Sequence, residues 1–110
     1  MILPRMLTLM IACAAPFAVM APAAQAATPQ AIADGAYCSN CHAKDKKILG
    51  PSYHDIAAKY AGDPKAAAAL AAKVRGGGKG VWGPVAMPPN GDSIISDADL
   101  NVVLAWILKQ

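Results

Sequence analysis

Cys38-Ser39-Asn40-Cys41-His42 decides how the rest of the chain is read. The pattern is C-x-x-C-H, the attachment signature of a c-type haem. Each of the two thiols can bond one vinyl arm of a haem. The imidazole that follows is placed to ligate the iron from one side. Iron in a haem takes a ligand on each face of the ring, so the pattern requires a sixth ligand elsewhere. Two other readings of C-x-x-C compete. A thioredoxin-like thiol pair wants βαβ surroundings, and this chain shows only helical patterns. A zinc site wants four ligands. Cys38, Cys41, His42 and His54 would have to supply them, at a spacing that matches neither common zinc pattern.

Upstream of the motif the sequence reads as an address. Arg5 gives a short positive start, and an apolar run follows from Met6 to Met20, interrupted by Pro16. Ala24-Gln25-Ala26 is a small-x-small cleavage site. Residues 1–26 therefore read as a secretory signal peptide, removed after Ala26. The run is shorter than the ~20 residues of a spanning helix, so no stable membrane insertion is expected. Cys13 lies within it as a small apolar residue. The address is the periplasm, which fits covalent haem, because bacteria attach it outside the cytoplasm.

Residues 27–110 are left as one domain, in keeping with a chain of 110 residues. Every basic residue but Arg5 stays, with all seven acidic residues, each an Asp. Two haem propionates would nearly cancel the small positive balance. Nucleic acid wants a basic face with many phosphate contacts, and this balance does not point to it. The two remaining cysteines are too few for a disulfide scaffold. A buried haem would staple a chain whose own core is thin.

Four helices are expected. Thr28-Pro29 is a capped, proline-started opening for a helix through Tyr37, with Ile32, Ala36 and Tyr37 on its apolar face. Ala43 to Lys47 form a solvated loop, and Gly50-Pro51 forces a turn. Ser52 caps a helix to Tyr60 that places Tyr53, Ile56, Ala57 and Tyr60 on one face. Asp63-Pro64 repeats the capped opening for an alanine-rich helix through Arg75, with Leu70 and Val74 one turn apart. Gly76-Gly77-Gly78 reads as a flexible connector, since no phosphate-loop pattern surrounds it. Ser96, with Asp99 as a partial capping box, opens the last helix. There Leu100, Val103, Leu104, Ile107 and Leu108 follow helical periodicity without a miss. No alternating run is long enough for a sheet.

The second iron ligand has few candidates. Met1, Met6, Met10 and Met20 leave with the signal peptide, so Met87 is the sole remaining methionine, and His54 is the sole histidine besides His42. Met87 stands in Val81-Trp82-Gly83-Pro84-Val85-Ala86-Met87-Pro88-Pro89-Asn90, where three prolines exclude a regular helix. A methionine that fills core gaps usually sits on a helix or strand face; one fixed in a proline-braced loop suits a thioether ligand. His54 reads instead as a surface or hydrogen-bonded histidine.

These residues resemble the class I c-type cytochromes, and closely the small bacterial cytochrome c-551 (cytochrome c8) family. The resemblance is carried by CSNCHA at 38–43, ILGPSY at 48–53, IAAKYAG at 56–62, GVWGPVAMPPN at 80–90 and the terminal LAWILKQ. It covers about residues 30–110. It implies an all-α fold of about four helices around one covalently bound haem c, with no significant sheet. Cys38 and Cys41 would hold the haem through thioethers, with His42 and Met87 as the axial ligands. The Pro51 carbonyl would receive the other ring N–H of His42. Trp82 would donate its indole N–H to a propionate, Asn90 would sit near the Met87 sulfur, and Lys73 or Arg75 would neutralise a propionate. Trp106 would pack the last helix on the haem or the first helix. Ala33 and Asp34 stand where the first helix often carries an aromatic, and Tyr37 where a small residue is common.

A His/Met-ligated iron has no open coordination position, which implies an electron carrier rather than an enzyme. The expected partners are redox proteins: a donor cytochrome or membrane complex, and an acceptor reductase, oxidase or peroxidase, with nitrite reductase among them. The protein itself is expected to be a monomer. The competing function is a haem sensor or peroxidase-like enzyme in which Met87 leaves the iron. An apolar collar of Val81, Gly83, Pro84, Val85, Ala86, Pro88 and Pro89, rimmed by Lys44, Lys46, Lys47 and Lys79, is the expected docking face.

Overall fold

The computed structural model describes residues 13–110. Arg5 and the first part of the apolar run, through residue 12, lie outside that range. Residues 13–28 are exposed and without regular secondary structure. Among the described residues no helix is long and apolar enough to cross a membrane.

Four α-helices follow: α1 (Pro29–Gly35), α2 (Tyr53–Lys59), α3 (Ala66–Gly76) and α4 (Asp97–Ile107). Three of them start where a hydroxyl can cap. The Thr28, Ser52 and Ser96 side chains accept from the backbone N–H of Ala31, Asp55 and Asp99 at 3.2, 3.0 and 3.1 Å. α3 departs from this pattern. The Asp63 carboxylate spends its acceptor on the N–H of Lys65 (2.8 Å), closing a turn over 63–65. The helix therefore begins at Ala66, without a side-chain cap.

α4 is the hub and packs against α1, α2 and α3. Its expected stripe is the core, with Leu100, Val103, Leu104 and Ile107 buried and Leu108 partly so. α2 contributes Tyr53, Ile56 and Ala57, and α3 contributes Ala66 and Leu70. α1 meets α4 through small residues. Ala33 is fully buried and Ala36 nearly so, which lets the two backbones approach where an aromatic was noted as common. Tyr37 does not continue the apolar face of α1. The helix ends at Gly35, and Tyr37 takes a left-handed backbone (φ 64°) that turns its side chain out to 66% exposure.

Among the described residues no β-strand is present, only two isolated bridges, His42 to Lys47 and Gly78 to Met87. Both fall on the segments that carry the candidate site. Trp106 is partly buried against the core cluster that includes Ala33 and Ala36. It packs edge-on against Tyr53 of α2, with ring centroids 5.2 Å apart.

Candidate functional site

The helices do not close on a solid centre. They surround a cavity of about 400 Å³. Tyr53, Ile56, Leu70, Leu100, Val103, Leu104 and Ile107 form its floor. Its remaining walls are the 36–51 segment and the 78–90 segment. Cys38, Cys41, His42, Pro51, Lys73, Trp82, Met87 and Asn90 all line it. Arg75 and His54 do not, and His54 is exposed on the outer side of α2.

The motif folds locally. Residues Cys38–Asn40 make one 3₁₀ turn, and the N–H groups of both Cys41 and His42 donate to the Cys38 carbonyl (3.1 and 3.0 Å). That turn bends both cysteines and the histidine toward the cavity. At its outer side the Ser39 hydroxyl and the Gln30 amide donate to the Asp34 carboxylate, in that order of effect holding its pKa below the ordinary value. Both cysteines are free thiols. Burial pushes the Cys38 thiol up. A reactive redox thiol needs the opposite shift, so the thiol-pair reading loses support. The zinc reading loses it too, because among the described residues no three His, Cys, Asp or Glu side chains converge on one point.

His42 is oriented from three sides. Its Nδ1 lies 2.7 Å from the Pro51 carbonyl oxygen. A carbonyl carries no proton, so Nδ1 donates, and Nε2 is the nitrogen left with a free lone pair. Tyr53 stacks on the ring at 5.8 Å and 20°. Gly50 lies against the ring edge, where a Cβ would come within 2.6 Å of Cε1. Glycine is thus required at 50 by the imidazole, which a turn signal alone does not reveal.

Met87 is held through its backbone. It exchanges hydrogen bonds with Gly78 (3.0 and 2.8 Å), and a Cβ on Gly77 would stand 2.5 Å from the Met87 carbonyl oxygen. The glycine run is therefore not a flexible connector. Gly77 takes φ +67° as the C-cap of α3 and lets the Met87 strand approach α3 closely. The Asn90 amide donates to the Pro88 carbonyl at 2.9 Å, bracing the turn just beyond Met87.

Trp82 stands at the rim. The Lys59 ammonium lies 5.6 Å from its ring centroid, and Lys47 donates to its carbonyl at 3.5 Å. Neither lysine was legible as a Trp82 neighbour from spacing. Lys73 reaches the cavity beside Gly78, whereas Arg75 points away from it and is bonded elsewhere. Of the two candidates for neutralising a propionate, Arg75 is thereby removed.

The cavity is apolar, bordered by two free thiols, one imidazole with a single uncommitted nitrogen and one thioether. That donor set fits a covalently held haem. Comparison with known proteins agrees. Residues 24–107 match a family model described as cytochrome c oxidase, cbb3-type, subunit III. Cytochrome c-551 of Pseudomonas aeruginosa is 41% identical over 92 residues, covering 84% of this chain and 86% of that protein. Cytochrome c2 of Rubrivivax gelatinosus is 48% identical over 83 residues, covering 76% and 98%. The crystal structure of Nitrosomonas europaea cytochrome c552 superposes with a TM-score of 0.66 at 46% identity, covering 71% of this chain and 94% of that one. An all-helical fold wrapped around a cavity with a C-x-x-C-H turn in its wall defines a small class I c-type cytochrome. Within that class the chain belongs to the cytochrome c-551 and c-552 family. Its cofactor is haem c, covalently attached, and it is an electron-transfer cytochrome.

Proposed function

We propose that the protein is a periplasmic one-electron carrier in which Cys38 and Cys41 hold the haem while His42 and Met87 ligate its iron. The observation that carries this reading is the commitment of His42 Nδ1 to the Pro51 carbonyl, which leaves Nε2 for the metal. Met87, the one methionine beyond residue 26, is pinned at the wall of the same cavity. The haem supplies a reversible Fe(II)/Fe(III) couple. The chain's residues exclude water from it, fix both ligands and offer one edge to a partner. Met87 favours the reduced state and so raises the potential. Trp82 and Lys73 would hold the propionates, and Asn90 would brace the Met87 turn. With His42 and Met87 both holding the iron, no position on it would be open to a substrate.

Residues 1–26 act as the export signal in this reading, and the mature domain works as a monomer. Electrons arrive from a donor cytochrome or membrane complex and leave to a terminal reductase or oxidase, a nitrite reductase being one candidate acceptor. Carbon monoxide added to the reduced holoprotein near neutral pH tests the ligation. The spectrum of the wild-type protein stays unchanged, while Met87→Ala binds carbon monoxide rapidly and its potential falls. Fast, complete binding by the wild type would instead support a sensor or peroxidase-like enzyme. The mass of the protein recovered from the periplasm tests cleavage after Ala26.

A further inference from the structure

Arg75, on the last turn of α3, makes contacts that the haem site does not account for. Its Nη1 donates to the carbonyls of Asn90 (3.0 Å) and Ile95 (2.8 Å). Its Nη2 pairs with Asp97 (2.5 Å) and Asp92 (3.3 Å). These four acceptors cover the whole return from the Met87 segment to α4. Asn90 closes the Pro88-Pro89 stretch, Asp92 lies in the turn, Ile95 is buried just before the cap, and Asp97 opens α4. The N–H of Asn90 adds a bond to the neighbouring Val74 carbonyl at 2.9 Å.

Met87 thus lies between two anchors. One is its own pairing with Gly78, and the other is Asn90, three residues on, whose carbonyl Arg75 holds. The residues between are prolines, which fix φ and carry no N–H. They transmit the position of Asn90 to Met87 with little slack. The acceptors demand a planar fork: two carbonyls and two carboxylates are met by one guanidinium, which a lysine ammonium cannot match. The ion pairs alone would hold little, since Asp92 and Asp97 are 82% and 83% exposed. The part-buried carbonyl bonds give the contact its hold.

We propose that Arg75 is the positioning residue that latches the Met87 segment and sets how often Met87 leaves the iron. Release of Met87 requires a local opening of residues 87–95, and the bonds from Arg75 to Asn90, Asp92 and Ile95 must break in that opening. This inference rests on the reading of Met87 as an iron ligand.

Displacement of the sixth ligand from oxidised holoprotein by imidazole tests both. Where an internal ligand must leave first, the displacement rate saturates with imidazole, and the limiting rate reports the opening. Arg75→Gln is expected to raise that limit at least tenfold, and Arg75→Lys to raise it less, because charge returns without the fork. Ala66→Gly, at the far end of α3 and away from the cavity, serves as a control for lost stability. It is expected to leave the limit within about twofold at a comparable fall in Tm. An Arg75→Gln limit no higher than that of Ala66→Gly overturns the latch and leaves the ligation intact. If Arg75→Gln yields no holoprotein, an Arg75→Lys limit equal to that of the wild type overturns it in the same way. A wild-type rate that never saturates, with a spectrum shared by Met87→Ala, overturns the ligation itself and the latch with it.

Discussion

At the scale of single residues, the site is made by contacts whose cost would be high anywhere else. Tyr53 is the clearest case. It is 2% exposed, stacks on His42 and leaves its hydroxyl buried without a hydrogen-bond partner. Burial, with a smaller effect of the nearby Cys38 thiol, pushes its phenol from 10.0 up to about 12. Below pH 10 both the folded and unfolded chains keep the proton. Between about 10 and about 12 only the unfolded chain releases it, so stability falls across that window. Tyr53→Phe removes this contribution. Its pH-dependent Tm is expected to decline less steeply than that of the wild type above pH 10, with the two curves running parallel below it. An equal decline would show that the phenol stays protonated in both states or ionises in both. The residue types of the site were legible because Cys38, Cys41, His42 and Met87 are chemically conspicuous and few. The contacts that orient them were not. Gly50 announces a turn in any sequence, and nothing in its neighbours says that an imidazole edge will lie over its Cα.

At the scale of elements, the helices were legible where a cap and a hydrophobic stripe agreed, as at Ser52 and Ser96. They misled where a cap-like residue had a competing local use. Asp63 bonds two residues on and makes a turn instead of a helix start. Tyr37 was placed on the face of α1 by periodicity, but periodicity does not register a left-handed break. The glycine run shows the same limit. Three glycines read alike whether a segment is loose or must be approached closely, and only the tertiary pairing separates the two. Here the approach decides. Gly77→Ala puts a Cβ 2.5 Å from the Met87 carbonyl oxygen and forces a left-handed alanine. With ψ at −166° this is a region that glycine alone visits readily, and the backbone term costs about 1–3 kcal/mol. The expected outcome is a lower Tm together with measurable carbon monoxide binding to the reduced protein, because the Met87 strand is displaced from Gly78. A lower Tm with no carbon monoxide binding would mean that the ligand segment follows its ring and not its backbone.

At the scale of the whole molecule, the fold is a shell that needs its cofactor. A cavity of about 400 Å³ would cost at most roughly 10 kcal/mol at ~24 cal/mol per Å³. That upper bound, set by a mouth open to water, is as large as the entire stability of a small domain. The haem therefore completes the core as well as carrying the electron. At the mouth of the cavity Val81, Val85 and Leu49 are 56%, 58% and 56% exposed, and Lys44, Lys46 and Lys79 are exposed as well. An apolar patch rimmed mainly by lysines, with Asp45 between two of them, favours brief complexes: the patch desolvates easily, and the net positive rim steers approach. Lys47 is excluded from this test because it is tied to the Trp82 carbonyl. Replacing Lys44, Lys46 and Lys79 with Gln is expected to lower the rate of electron exchange with an acidic redox partner several-fold at low salt. The difference should vanish as the screening length shrinks toward the spacing of the charges. The reduction potential should move little, which separates steering from tuning. Stopped-flow rates against ionic strength decide the matter: parallel lines for wild type and variant would place the docking charges elsewhere on the surface.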